Sequence, residues 1–324
     1  PPKPSFEAVA PEVFRAIREQ FFFLPQTEYR RCLCIEPLIH AGAGGGKSGS
    51  YFLFSADRRL IIKSVKKAEL PFLTRILSDY FAHLEANWYH SLLPRFLGLY
   101  KVKLPRRPVD ILLVMNNLFF IPPRHSNVQL LEAFDLKGSL LKRFVTAEEI
   151  VQGTSVLKDL NFCRHHSGTD NQGNQVPAEC SACRQLHIGR ARWASLTANL
   201  MNDVDFLREH NIMDYSLLLG VAELPPDPSQ TSGEDTYFWP DCYSQWQSDA
   251  GGMRGRSEAG KELQVVYFMG IVDVLQEFNM TKRLESAYKQ RVQRLAGQDA
   301  SKISSVDSSV YAQRFTEFIT SHWS

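Results

Sequence analysis

Residues 44–65 read GGGKSGSYFLFSADRRLIIKSV, and the first half of the chain is organised around them. The surrounding segment 41–50, AGAGGGKSGS, carries too many glycines for an element interior and is read as a loop. After it come two strands, 50–56 and 59–65, turning at Asp57 and Arg58. Exposed amides in such a loop can surround phosphate oxygens, and the missing β-carbons permit close approach. A flexible connector has the same composition. The P-loop spacing fails by one residue, because Ala41 stands where glycine is needed, and a strand rather than a helix follows.

Outward from this run, 69–90 places Phe72, Leu73, Ile76, Leu77, Phe81 and Leu84 at helical spacing. Strands at 96–103 and 109–115 flank the basic turn Pro105–Pro108. Upstream, 6–24 reads as an amphipathic helix with Val9, Val13, Phe14 and Ile17 on one side, and 31–35 alternates as a short strand. The first half is therefore antiparallel sheet with one principal helix, an α+β pattern.

The second half begins with DLKGS at 135–139. A polar loop is expected at 164–183 and a helix at 184–209, its apolar face formed by Leu186, Trp193, Leu196, Leu200, Val204 and Leu207. Leu217–Val221 reads as a buried strand, 225–262 as a long Pro-, Ser- and Gly-rich loop, 263–276 as a strand and 310–322 as a helix.

The 324 residues include 44% apolar and 22% charged residues, a globular balance, and the net charge is +2. That small charge argues against a nucleic-acid partner. No run of about 20 apolar residues and no secretory leader is present, and six scattered cysteines fit a reducing cytoplasmic setting. Cys180 and Cys183 form a CxxC without the second ligand pair that structural zinc needs.

Three charges stand in apolar surroundings. Lys63 interrupts LIIKSV, where an unpaired ammonium is costly. In a kinase-like unit it would contact the nucleotide phosphates and pair with a helix glutamate, for which spacing leaves Glu69 and Glu85 open. A solvent-facing edge lysine is the plain alternative. Asp214 in NIMDYSLLLG and Asp273 in MGIVDVLQ read as two buried carboxylates, for which Mg²⁺ and a substrate hydroxyl supply roles. Helix capping or a core hydrogen bond would explain either one alone.

Larger motifs decide among these. CIEPL at 34–38, residues 44–65, FLGLY at 96–100, LLVMNNLF at 112–119, FDLKGS at 134–139, LKDLNF at 157–162, IMDYSLLLG at 212–220, MGIVDVLQ at 269–276 and YAQRFTEFI at 311–319 resemble the phosphatidylinositol phosphate kinase family. The resemblance implies a two-lobed lipid-kinase fold, α+β and distantly kinase-like, with antiparallel sheets and packed helices. Its amino-terminal lobe would be 1–117 and its carboxy-terminal lobe 118–324, with an insertion at 225–262 and a specificity loop at about 278–309. ATP and Mg²⁺ are the implied cofactors. Gly46, Lys47, Ser48, Gly49 and Ser50 would cover the nucleotide phosphates, Lys63 would contact them, and Glu69 is preferred over Glu85 as its partner. Met115 and Asn116 fall in the hinge near adenine. Asp214 corresponds to the catalytic aspartate, Asp273 to the metal-binding one, and Lys137 to a position near the γ-phosphate.

The basic run 279–294 reads on its own as a solvated face or as an anionic-membrane contact, extended by Lys66, Lys67, Arg106, Arg107, Lys142 and Arg143. By resemblance it is the specificity loop. Lys282 and Arg283 stand at a dibasic position, and Glu285 favours the 5-kinase type acting on phosphatidylinositol 4-phosphate. Lipid kinases of the 3-phosphate carry a similar arrangement, and a catalytically silent phosphoinositide-binding scaffold is the alternative of another class. The implied partners are the lipid substrate and an anionic phosphoinositide membrane surface, to which a cytoplasmic protein is peripherally recruited, the plasma membrane being one candidate. A homodimer is compatible with the sequence.

Overall fold

The computed structural model describes residues 3–40, 50–121, 128–139, 143–163, 168–169, 175–176, 184–224, 252–277 and 307–323. They form two compact units, the first within Pro1–Arg124 and the second from His125 onward.

The first unit is a six-stranded antiparallel sheet. Its strands are β1 (Ser5–Ala8), β2 (Ile39–His40), β3 (Phe52–Phe54), β4 (Leu60–Val65), β5 (Phe96–Lys103) and β6 (Val109–Asn116), in the spatial order β1-β5-β6-β4-β3-β2. The β3–β4 hairpin turns where Asp57 Oδ1 accepts the Ser55 hydroxyl at 2.6 Å and the Arg59 amide at 3.0 Å, with Arg58 left-handed at φ 60°. Burial pushes the Asp57 carboxyl up, but these bonds outweigh it and hold the group below the usual carboxylate range.

The helices of this unit are α1 (Pro11–Ala16), α2 (Gln26–Arg30) and α3 (Glu69–Asn87), and α3 buries Phe72, Leu73, Ile76, Leu77, Tyr80 and Leu84. Two expectations are corrected here. Residues 6–24 are not one helix: Ser5–Ala8 pairs with β5, and α1 starts at Pro11, whose missing N–H costs nothing at a first helical position. Residues 31–35 are a π-helical turn continuing α2, not a strand. Tyr29 and Cys32, three apart, are both buried, and four alternating residues are too few to reveal that helical period.

The second unit holds β7 (Gln129–Leu136), β8 (Val156–Lys158), the small hairpin β9 (Gly168–Thr169) and β10 (Gln175–Val176), β11 (Ser216–Glu223), β12 (Met253–Arg256) and β13 (Glu262–Val272). Five of these make a sheet in the order β12-β13-β11-β7-β8, antiparallel except for the β7–β8 pair. Its helices are α4 (Ala147–Val151), α5 (Asp159–Phe162), α6 (Arg190–Glu209) and α7 (Ser308–Thr320), and α6 packs on α7.

The loop expected at 225–262 lies outside the described residues up to 251, but 253–256 is strand β12. Gly252 and Gly255 serve close packing rather than a loop: a β-carbon on Gly255 would lie 2.5 Å from Val265 Cγ1 and one on Gly252 2.3 Å from Tyr267 O. The helix expected from 184 begins at 190, since Leu186 bridges Trp323 instead. Leu196, Leu200, Val204 and Leu207 form the buried face of α6, while Trp193 is 38% exposed and does not belong to it.

Candidate active site

Strand register builds the site in the second unit. Ser216, the first residue of β11, pairs with Val272, the last of β13, so Asp214 just before β11 and Asp273 just after β13 lie at the same end of the sheet. Leu217 pairs with Leu136, the last residue of β7, which brings Lys137 to that end as well. Beyond them, Met213 N donates to Gln276 O and Ile212 bridges Glu277, closing the pair around both aspartates.

Both aspartates are left-handed, Asp214 at φ 63° and Asp273 at φ 62°. Such backbone costs energy for a non-glycine residue and gathers at functional sites. Here it ejects one side chain from a buried run: Met213 and Tyr215 are buried, whereas the Asp214 side chain is 31% exposed. Likewise Ile271, Val274 and Leu275 are buried while Asp273 is exposed. The expectation of two buried carboxylates is corrected, since apolar neighbours in sequence do not surround a side chain that the backbone turns outward.

Lys137 Nζ donates to the Asp214 carbonyl at 2.6 Å and to its Oδ1 at 2.8 Å. Its backbone is fixed by Asp159, which is 0% exposed. Asp159 Oδ1 accepts the amides of Lys137 and Gly138, each at 2.8 Å, and Oδ2 accepts Arg143 Nε at 2.6 Å. Arg143 Nη2 also donates to the carbonyl and Oδ1 of Asp135, whose Oδ2 accepts the Ser216 hydroxyl at 2.8 Å. Burial pushes the Asp159 carboxyl up, and the Arg143 guanidinium counters it. Arg143 feels the same burial, but Asp159 and Asp135 outweigh it and hold its pKa above the ordinary value. Asp135, Asp159, Arg143 and Ser216 thus support the site, a role their sequence positions do not announce. Arg143, expected on the basic surface, is half-buried between two carboxylates.

On the other side, Tyr215, Tyr311 and Phe315 stack edge-on with centroids 4.7 and 5.0 Å apart from Tyr215, and the Tyr311 hydroxyl donates to the Tyr215 carbonyl. Gly138, at φ 65°, lies against α7, where a β-carbon would sit 3.0 Å from both Arg314 O and Phe318 Cβ. Gly138→Ala is expected to destabilise the protein by about 1–3 kcal/mol through strain and overpacking. Urea denaturation reads this directly, and an unchanged midpoint would contradict it.

In the first unit, Lys63 sits on the inner strand β4, paired with Phe52 and Leu113, its Nζ 5.6 Å from the Phe52 ring centroid. Being on an inner strand, it is not the edge lysine of the plain alternative. Ile61 pairs with Met115, so Met115 shares the Lys63 face. Asn116 points to the opposite face, buried, where its Oδ1 accepts the Arg95 amide at 2.8 Å. Glu69 opens α3, and its Oε2 accepts the Lys66 amide at 2.7 Å, closing the turn from β4. Ser50 is half-buried at the entry to β3. Gly46, Lys47, Ser48, Gly49, Lys142, Cys180, Cys183, Lys282, Arg283 and Glu285 lie outside the described residues.

A lysine on an inner strand of one antiparallel sheet, and a lysine with two outward-turned aspartates at the end of another, define an α+β protein of the kinase-like class. The chain belongs to the phosphatidylinositol-4-phosphate 5-kinase family, whose model matches residues 34–322. It is 30% identical to mouse phosphatidylinositol 4-phosphate 5-kinase type-1 alpha over 339 residues, covering 97% of this chain and 56% of that protein. With the human type-1 beta protein the identity is 31%, covering 98% of this chain and 58% of the relative. With phosphatidylinositol 4-phosphate 5-kinase its3 of Schizosaccharomyces pombe it is 29%, covering 98% and 46%. The chain thus spans about half the length of the curated relatives it matches. None of the helices among the described residues is long and apolar enough to cross a membrane.

Proposed function

We propose that this protein transfers the γ-phosphoryl group of ATP to the inositol 5-hydroxyl of phosphatidylinositol 4-phosphate, giving the 4,5-bisphosphate. The observation that carries this reading is the sheet end where Lys137, Asp214 and Asp273 converge, both aspartates left-handed and turned outward. Asp214 orients the hydroxyl and accepts its proton, with Lys137 holding the carboxylate in place through the 2.8 Å bond. In the amino-terminal lobe, Lys63 and the glycine loop at 44–50 engage the nucleotide phosphates, and the Met115 strand end meets the adenine.

The donors present fit Mg²⁺. It binds through one or two carboxylates and completes its shell with water and substrate phosphates. Asp273 supplies a hard oxygen donor of that kind, and no cluster of three or more ligating side chains occurs among the described residues. When bound, the ion offsets charge on the phosphate oxygens.

Glu285, with Lys282 and Arg283, selects the 4-phosphate lipid, and the basic run around them draws the protein to an anionic membrane surface. The test offers labelled ATP and vesicles containing the 3-, 4- or 5-monophosphorylated lipid. Label is expected chiefly in the 4-phosphate vesicles. Preference for the 3-phosphate lipid or equal use of all three would overturn the specificity, and no label in any lipid would leave a phosphoinositide-binding scaffold.

A further inference from the structure

The face of the six-stranded sheet opposite Lys63 carries a feature that phosphoryl transfer does not use. Ile62, Leu112 and Val114 alternate with Lys63, Leu113 and Met115 along β4 and β6, so they point away from the lysine. With Val9, Phe14 and Leu33 they line a cavity of about 380 Å³. That size lies within the usual range of small-molecule sites, about 300–1,000 Å³.

Arg18 also lines this cavity and is 4% exposed. Its Nη1 donates to the Leu97 carbonyl at 2.5 Å and its Nη2 to Gln26 Oε1 at 2.6 Å, both uncharged acceptors. Its Nε is buried without a partner, and no carboxylate pairs with it among the described residues. The guanidinium lies 4.1 Å from the Tyr29 ring centroid. Such a cation–π contact offsets only part of the cost of burying an ion. Beside it the hydroxyls of Tyr29 and Tyr100 meet at 2.9 Å. Gly98 makes room for them, since a β-carbon there would lie 2.2 Å from Tyr29 Oη. A buried positive charge with unspent donors, next to a hydroxyl pair and an apolar wall, is complementary to an anion carrying an apolar body.

We propose that this cavity binds an amphiphilic anion, a carboxylate or phosphate head on a single apolar chain, with the head on Arg18 and the chain against the Ile62–Val114 wall. The test is calorimetric titration of the full chain with laurate, dodecyl phosphate and dodecanol, each below its aggregation limit. At least one anion is expected to bind at one site about tenfold or more tighter than dodecanol. Laurate alone would assign a free fatty acid, and dodecyl phosphate alone a phosphate-headed lipid. Leu112→Trp, which fills the cavity from a half-buried strand position, is expected to weaken anion binding at least tenfold. Arg18→Met is expected to bring the anions to the dodecanol level, and if that variant fails to fold, Leu112→Trp still decides. Dodecanol binding as tightly as both anions, or anion binding unaltered in Leu112→Trp, would overturn the proposal.

Discussion

Asp214→Asn is expected to lower lipid phosphorylation by about 10²- to 10⁴-fold in kcat, the range typical of a lost general base. The substitution is chosen for its backbone. Asn tolerates the left-handed conformation as Asp does, so φ 63° is kept, whereas Ala would add strain of its own. The amide oxygen still accepts from Lys137 Nζ, so the Lys137 contact to the 214 side chain persists without the negative charge. The KM for ATP is therefore expected to change little and the melting temperature to stay near that of the unmodified protein. Steady-state kinetics on 4-phosphate lipid vesicles separates these quantities, and full turnover in the variant would remove Asp214 from the chemistry.

Asp159→Asn is expected to have the largest effect on stability, about 3–5 kcal/mol, the cost of breaking a buried ion pair from one side. The carboxylate faces only donors: two backbone amides at Oδ1 and Arg143 Nε at Oδ2. An amide in its place must turn its NH₂ toward one of these sets, whichever way it is flipped, and leaves Arg143 with Asp135 as its remaining carboxylate. Urea denaturation measures the loss, and a change below about 1 kcal/mol would show that Asp159 is not the support of the DLKGS turn. Arg143→Met is expected to cost less in the Asp159→Asn background than in the unmodified protein, because the Asp159 pair is already lost there.

The strands β5 and β6 were legible in the sequence because two short apolar runs flank the basic turn Pro105–Pro108. The short pieces were not: Ser5–Ala8 acquires its strand only by pairing with β5, and residues 31–35 acquire their helical turn from α2 before them. Asp214 and Asp273 stood out as charges in apolar runs, yet the reason they are there, a left-handed residue that turns one side chain out, cannot be read from neighbours alone. Asp159 is the converse case. It is a fully buried carboxylate whose partners, Lys137, Gly138 and Arg143, lie 16 to 22 residues earlier, so nothing local announces its role.

The central claim is most directly tested by the position of the new phosphate. Wild-type protein is incubated with labelled ATP, Mg²⁺ and vesicles of phosphatidylinositol 4-phosphate, and the deacylated product is resolved by ring isomer. The expected product is the 4,5-bisphosphate with label at the 5-position. Label at another ring position, or unlabelled lipid beside ATP that the protein binds, would contradict the account.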